Sequence, residues 1–163
     1  MSAVDDLVAM VIEREGGVKD VGDGKGVTRW GQTPGWLAQF NLPIPQNPAD
    51  AARNYVAWLK LTGLDGIVTS ADSVSDILMD IAVMSSAPKA IKALQASLRV
   101  PVDGVLGAQT ILALDGADRG RLAKQIVAWD MRYQGSAITL NPQRAEYAKG
   151  WADRMAGHVE RLP

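Results

Sequence analysis

The sequence predicts a mainly α-helical protein with a small loop or β-hairpin, and three observations lead to this prediction. Apolar residues recur at helical spacing through most of the 163 residues. Runs that alternate apolar and polar residues, as half-buried strands do, are scarce. One glycine-rich segment interrupts the helical pattern, since six of the 17 residues from Glu15 to Gly31 are glycine. We therefore predict about seven helices, with the loop or hairpin inside this segment.

The first predicted helix has apolar residues on one face: Val4, Leu7, Val8, Val11 and Ile12. Gly16 and Gly17 should end it, which places Glu15 in its last turn. A carboxylate in the last turn of a helix interacts poorly with the helix dipole. A local rule that is broken at one position points to a functional role for Glu15.

The remaining helices follow from apolar periodicity together with capping and turn residues. A Ser/Asp cap signal opens the helix at Ser73, and Pro88 fits the first turn of the next one. Asp103-Gly104 is the strongest turn signal of the second half. In chain order these helices are predicted within 33–42, over 50–61, over 73–84, from 88 to about 98, over 108–114, over 118–133 and from 141 to about 161.

Composition excludes several classes of function. The net charge is −1, so there is no basic excess to suggest nucleic acid as a partner. The absence of cysteine excludes disulfides and cysteine-based metal or redox sites. His158, expected on the surface of the last helix, is the single histidine, which argues against a multi-histidine metal site and a Ser-His-Asp triad. We expect a monomer that needs no cofactor and no metal, with Asp and Glu carrying any acid–base chemistry.

The N-terminal segment is not typical of an export signal. Asp5 and Asp6 stand where a secretory signal peptide has basic residues, and polar positions break the apolar run. No window approaches 18 consecutive apolar residues, so no membrane span is predicted. We expect synthesis in a bacterial cytoplasm, with release by another route if the protein acts outside.

The glycine-rich segment places three residues where they could perform chemistry together. Glu15 ends a helix, Asp23 follows eight residues later, and Thr28 follows five beyond that. Cleavage of a glycosidic bond needs one acid to protonate the leaving oxygen and a second group to assist water. A threonine hydroxyl can orient that water, because it both donates and accepts hydrogen bonds. The alternative is a solvated Glu15 followed by a surface hairpin, and spacing alone leaves both interpretations open.

The same segment resembles the N-terminal signature of the glycoside hydrolase family 108 muramidases, which include phage endolysins and bacterial secretion activators. That family opens with a helix ending in Glu-Gly-Gly, followed by a glycine-rich loop with Asp and then by Thr-x-Tyr-Gly-Ile-Thr. The matching residues here are Glu15, Gly16, Gly17, Asp23, Gly26, Thr28, Trp30, Gly31 and Thr33. Val18 and Gln32 depart from the pattern.

The second half resembles the remainder of the same family, often called a peptidoglycan-binding domain. Its ordered matches are Asp80, Ser85, Ala90, Leu94, Gln95, Asp103, Gly104, Gly107 and Thr110, and then Arg132, Tyr133, Asn141, Pro142, Tyr147, Gly150, Trp151 and Arg154. The resemblance implies a lysozyme-like helical fold with the hairpin at the active-site cleft. It also implies a catalytic lobe over residues 1–65 and a peptidoglycan-binding-like lobe over 66–163, together forming one compact unit.

The resemblance implies a muramidase that hydrolyses the β-1,4 bond between N-acetylmuramic acid and N-acetylglucosamine, with bacterial peptidoglycan as its partner. Glu15 would be the general acid, and Asp23 or Thr28 its catalytic partner. Trp30, Tyr55, Trp58 and Asp80 are candidate substrate-binding residues, although the aromatic rings also suit a core. Family members without a signal peptide are released to the wall through a holin or another non-Sec route. A lytic transglycosylase and a non-catalytic wall-binding module remain as alternatives.

Overall fold

The structure, a computed structural model, describes residues 3–20, 26–70 and 72–162. The chain divides into two compact units, Met1–Ala71 and Asp72–Pro163. The described residues form eight α-helices and one two-stranded sheet, so the predicted mainly α class with a small hairpin is confirmed. Within these residues, no helix has both the length and the apolar character that crossing a membrane requires.

The first unit contains three α-helices and the hairpin. Helices α1 (Ala3–Glu15) and α3 (Pro48–Thr62) pack together, and α2 (Pro34–Gln39) lies between them in the chain. Strands β1 (Val18–Lys19) and β2 (Thr28–Arg29) pair antiparallel, and a 3₁₀ turn, Leu64–Gly66, follows α3. The core of this unit is apolar: Leu7, Val8, Val11, Leu37, Ala51, Tyr55, Trp58, Leu59, Leu64, Ile67 and Val68.

Capping residues set the helix boundaries in the first unit. The side chain of Thr33 accepts a hydrogen bond from the Trp36 N–H and caps α2. Asn47 caps α3 in the same way, through the N–H of Asp50. Gly63 ends α3 in the left-handed conformation, which glycine adopts at low cost.

The second unit is built around α4 (Ser73–Met84). Every residue from Val74 to Ala82 is buried, because α5 (Ala87–Leu98) and α7 (Arg119–Leu140) pack against this helix. Helix α6 (Ala108–Asp115) packs against α5. After α7, the chain forms a 3₁₀ segment, Pro142–Tyr147, and then α8 (Ala148–Glu160), which packs against α7.

Two predicted boundaries in the second unit were wrong. Helix α7 continues to Leu140 instead of ending at Tyr133, since Gly135 is accommodated on an exposed face and no proline follows before Pro142. The last α-helix begins at Ala148, because the residues after Asn141-Pro142 form the tighter 3₁₀ helix first.

The Asp103-Gly104 turn between α5 and α6 is held by the side chain of Gln95. Its amide nitrogen donates to Asp103 Oδ1 at 2.7 Å and to the Val105 carbonyl at 2.9 Å. Its amide oxygen accepts from the Gly104 N–H at 2.9 Å. The hydrogen bond that Asp103 accepts from the Val105 N–H, together with the one from the Gln95 amide, lowers the pKa of Asp103. The segment is therefore a tight turn fixed from α5.

Candidate active site

Glu15 occupies the last position of α1, with its side chain half-buried. The helix stops here because Gly16 adopts a left-handed conformation, with φ 71°. Lys19 reaches back from β1, and its ammonium donates a hydrogen bond of 3.1 Å to the Glu15 carbonyl oxygen. A positive charge thus lies at the negative end of the α1 dipole.

A tight turn connects the hairpin to α2. Arg29 and Gln32 exchange backbone hydrogen bonds of 3.1 and 2.9 Å around Trp30-Gly31. Both central residues have positive φ, 49° for Trp30 and 80° for Gly31, as in a type I′ turn. Asn, Asp and Gly are the usual residues in such turns, so a tryptophan in this conformation is uncommon.

The Trp30-Gly31 turn lies directly against Glu15. A Cβ placed on Gly31 would fall 2.7 Å from Glu15 Cγ and 2.7 Å from the Tyr55 hydroxyl oxygen. The Tyr55 hydroxyl donates to the Trp30 carbonyl at 2.9 Å, and the Trp30 N–H donates to the Gly17 carbonyl at 3.0 Å. The structure therefore brings Glu15, Trp30 and Tyr55 together, with Gly31 as the close contact between them.

Thr28 lies on the side of the hairpin that turns toward the end of α1. Thr28 and Lys19 are directly paired, so their side chains share one face of the small sheet. That face points toward α1, since the Lys19 ammonium contacts the Glu15 carbonyl. Within the described residues, no hydrogen bond engages the Thr28 hydroxyl, and its role at the site stays a prediction.

Comparison with known proteins places the fold. A solved structure of SagA from Brucella abortus matches with a TM-score of 0.76 over 98% of this chain and 92% of that chain, at 22% sequence identity. No family model matches this sequence, and no curated protein matches it. Sequence identity at this level establishes a shared fold alone.

A buried amide pair anchors the site segment to α3. Gln32 is 1% exposed, and its side-chain nitrogen donates to the Ala51 carbonyl at 2.8 Å. Asn54 donates to the Gln32 amide oxygen and to the Pro43 carbonyl, both at 2.8 Å. This role is not predicted from the sequence, in which Gln32 is notable only as a departure from the family pattern. Asn54 on the apolar face of α3 was the signal that could have indicated it.

Tyr55 and Trp58 belong to the aromatic core of the first unit, being 1% and 2% exposed. The Trp36 ring lies against both, at centroid distances of 5.7 and 5.6 Å, and Phe40 completes the cluster. Tyr55 supports the Trp30-Gly31 turn through its hydrogen bond to Trp30, and Trp58 packs against Tyr55 and Trp36 in the core. Direct contact of either ring with a sugar stays a prediction. The half-buried Trp30 and Trp36 are more accessible rings of the same unit.

Asp80 lies in the second unit, where it is 1% exposed. Arg154 donates to Asp80 Oδ1 at 2.9 Å, and His158 Nε2 lies 2.9 Å from Oδ2. Contact of Asp80 with substrate stays a prediction, while the structure gives this carboxylate a role in fixing α8 to α4. The expectation that His158 lies on the surface was wrong, since it is 2% exposed.

Two carboxylates of α4 determine the protonation of His158. Burial alone would lower the pKa of His158, but hydrogen bonds and charge interactions with Asp76 and Asp80 outweigh it and raise the pKa. Arg161 approaches His158 Nδ1 at 3.0 Å and contacts Asp76 Oδ2 at 3.2 Å. The cluster thus combines two carboxylates with three basic groups in the second unit.

Asp23, the other predicted catalytic residue, lies outside the described residues. Among the residues that are described, no group of three or more His, Asp or Glu side chains is placed to hold a metal ion. Glu15 and Thr28 are the predicted catalytic residues that the structure describes.

Proposed function

We propose that this protein is a peptidoglycan muramidase in which Glu15 is the general acid. The observation that carries the proposal is the close approach of both the Glu15 side chain and the Tyr55 hydroxyl to Gly31, beside the hairpin. A glutamate fixed between a helix end and a tight turn can hold its proton at one position, which general acid catalysis requires.

In the proposed reaction, Glu15 protonates the oxygen of the β-1,4 bond between N-acetylmuramic acid and N-acetylglucosamine as the bond breaks. Positioned acid–base groups typically contribute a factor of about 10² to 10⁴ in rate. Apart from the exposed Glu13, the sequence places no second glutamate near the site, so we favour an inverting scheme in which Asp23 or Thr28 holds the attacking water. An Asp23 carboxyl about 6.5–9.5 Å from that of Glu15 would suit this scheme.

Substrate contacts are proposed mainly for Trp30. Its ring is half-buried, and its left-handed backbone is held by Gly17 and Tyr55, an arrangement that retains strain beside Glu15. The flat ring suits the apolar face of a sugar. Tyr55 and Trp58 would support this ring from the core, and Asp80 would act in the second unit, toward the wall polymer or by fixing α8.

Two independent lines support the proposal. The ordered motif matches to family 108 muramidases run from about residue 4 to residue 155 of the sequence. The fold is shared with SagA over nearly all of both chains. On this proposal the protein acts as a monomer in the bacterial cell wall, after release by a holin or another route that does not use a signal peptide.

Product analysis of digested peptidoglycan tests the proposal. Wild type, Glu15→Gln and Glu13→Gln are incubated with purified walls, and the soluble fragments are analysed by mass spectrometry. We expect reducing N-acetylmuramic ends from the wild type and from Glu13→Gln, which changes an exposed residue of the same helix. Glu15→Gln should release no fragments while unfolding at the wild-type temperature. Release of fragments by a folded Glu15→Gln protein would show that Glu15 is not the general acid.

The same experiment separates the alternatives. A lytic transglycosylase also needs only one glutamate, but its products end in anhydromuramic acid. A non-catalytic wall-binding module would sediment with purified walls and release nothing, whichever residue stands at position 15. Products that end in anhydromuramic acid would identify a lytic transglycosylase in place of a hydrolase, with Glu15 still its general acid.

A further inference from the structure

A groove on the second unit runs between the end of α5 and one face of α7. Residues 121, 125, 129 and 132 line it at intervals of three or four, so they lie on one side of α7. It consists of two adjoining depressions of about 320 and 200 Å³, which share Ser97, Arg99 and Gln125. At 1.5 Å per residue, the α7 face spans about 16 Å, which suits an extended ligand.

Three arginines in this groove have no carboxylate partner among the described residues. Arg99, Arg121 and Arg132 are exposed, and none of them forms an ion pair there. Other arginines of the second unit are paired, for example Arg119 with Asp72 and Arg154 with Asp80. In a chain of net charge −1, this grouping makes the groove a local region of positive potential.

One acid also lines the groove, but it already has a structural role. Asp118 caps α7, and its Oδ1 accepts a hydrogen bond of 2.7 Å from the Arg121 N–H. The side chain therefore points to the backbone at the helix start. Three guanidinium groups and one capping carboxylate leave a net positive groove.

The backbone conformation of Arg99 is unusual for an arginine. Arg99 ends α5 with φ 58° and ψ 37°, the left-handed position that glycine normally fills. The Arg99 N–H bonds to the Ala96 carbonyl, and the Val100 N–H bonds to the Gln95 carbonyl at 3.1 Å. The fold thus holds a charged side chain over the groove at some conformational cost.

We propose that this groove of the second unit binds an anionic saccharide chain. The guanidinium groups offer paired donors that match carboxylate or phosphate oxygens. Between them lie Gln125 and the half-buried Trp129, whose ring stacks on Tyr133 at 5.3 Å. An amide and an aromatic face suit sugar hydroxyls and the apolar face of a sugar ring. The proposal stands on the second unit alone and does not require muramidase activity.

Calorimetric titration of the full chain with four polymers tests the proposal. These are oligogalacturonate with carboxylates, a phosphomannan with phosphodiesters, a neutral N-acetylglucosamine hexamer and a single-stranded oligothymidylate. We expect at least one of the two acidic polymers to bind more tightly than the neutral hexamer, with affinity falling as salt rises. The preferred polymer identifies carboxylate or phosphate as the recognised group. Equal affinity for the neutral hexamer, or tighter binding of oligothymidylate, would overturn the proposal.

Paired variants locate the binding to this groove. Arg121→Gln/Arg132→Gln should weaken binding of the preferred polymer by about tenfold, since each exposed charge contact is worth roughly threefold. The control Lys60→Gln/Lys124→Gln makes the same change of net charge outside the groove and should bind as wild type. Equal loss in both double variants would mean that the attraction is general and not due to this site.

Arg99→Gly tests the groove with a variant whose loss of affinity could not be attributed to unfolding. Glycine accepts the left-handed conformation, so the variant should unfold at the wild-type temperature or above it. Its affinity for the polymer should nevertheless fall by about threefold, as for other exposed charge contacts. An affinity equal to that of the wild type would show that Arg99 does not contact the polymer, which would contradict the proposed groove.

Discussion

The backbone of Gly31 lies against the side chain of Glu15, so closely that a Cβ at position 31 would come within 2.7 Å of Glu15 Cγ. The same Cβ would come within 2.7 Å of the Tyr55 hydroxyl oxygen. The absence of a side chain at position 31 therefore creates the space in which Glu15 is held. The glycine also has φ 80°, a conformation that other residues adopt only at a cost.

Gly31→Ala should reduce activity more than it reduces stability. The added methyl group must displace Glu15 or Tyr55, and misplacement of a catalytic group by about 1 Å can cost roughly 10² in rate. We expect a loss of about 1–3 kcal/mol in unfolding free energy from strain and crowding. Wall-lysis rates and chemical denaturation measure the two effects.

The control for that variant is Gly35→Ala. Gly35 lies in α2, and a Cβ there would meet nothing within 4 Å. This variant should keep wild-type lysis, with stability unchanged or slightly raised because alanine is the better helix former. Wild-type lysis by Gly31→Ala as well would show that the contact does not position Glu15.

Tyr55→Phe tests whether the core fixes the turn beside Glu15. The substitution removes the 2.9 Å hydrogen bond to the Trp30 carbonyl and leaves the ring in place. A hydrogen bond of this kind contributes about 0.5–1.5 kcal/mol, so unfolding should become easier by that amount. The Trp30-Gly31 turn would loosen, and kcat on soluble wall fragments should fall more than KM changes.

Tyr133→Phe is the matched control, because the Tyr133 side chain is exposed on α7. Its stability and lysis should equal those of wild type. Loss of stability in Tyr55→Phe with unchanged kcat would limit Tyr55 to a packing role.

Local signals in the sequence are sufficient to predict most of the helices. Ser73–Met84 was predicted with both ends correct, because Asp72 accepts from the Ser75 N–H and Met84 precedes a polar break. The hairpin was predicted from glycine content, and its strands are β1 and β2. These features depend on a few neighbouring residues, which is why sequence alone reveals them.

Contacts between residues distant in sequence account for what the sequence did not predict. Gln32 looks like a substitution in a loop, yet Ala51 and Asn54 make it a buried anchor. His158 is a lone histidine in a terminal helix, and only its pairing with Asp76 and Asp80 explains its burial. The left-handed backbone of Trp30 likewise has no signal in the residue itself, since Gly17 and Tyr55 impose it.

The buried ion pair of Lys89 and Asp130 should show strong coupling in a double-mutant cycle. The two groups lie 2.7 Å apart, Lys89 is 8% exposed, and its ammonium lies 4.3 Å from the centre of the Tyr133 ring. Burial lowers the pKa of Lys89, although Asp130 opposes that effect. Lys89→Met alone leaves a buried carboxylate without its cation and should cost about 3–5 kcal/mol.

The double variant Lys89→Met/Asp130→Leu should recover most of that loss, because replacing both ends of a buried pair with apolar groups is often nearly neutral. Urea denaturation of the wild type, both single variants and the double variant gives the coupling energy. Additive losses would show that the two charges do not act as a pair.

Stability should depend on pH through His158. The charged groups around His158 determine whether stability rises or falls with pH. The carboxylates of Asp76 and Asp80 on α4 raise the pKa of His158, despite burial and the nearby guanidinium groups of Arg154 and Arg161 on α8. A raised pKa in the folded state means that the proton binds more tightly there than in the unfolded chain. The resulting stabilisation is fully present below the ordinary pKa of 6.5 and is lost as the pH rises through the folded-state value.

The difference in unfolding free energy between wild type and His158→Gln isolates this contribution. Glutamine can still donate to Asp80 but cannot carry a charge, so the difference should be largest below pH 6.5 and shrink as the pH rises through the folded-state pKa. For one proton the slope cannot exceed about 1.4 kcal/mol per pH unit. A difference that grows with pH would mean that His158 is held neutral, accepting from Arg161 at Nδ1. In that case the Nε2–H of neutral His158 would still donate to Asp80, and Arg154 and Arg161 would supply the positive charges between α8 and α4.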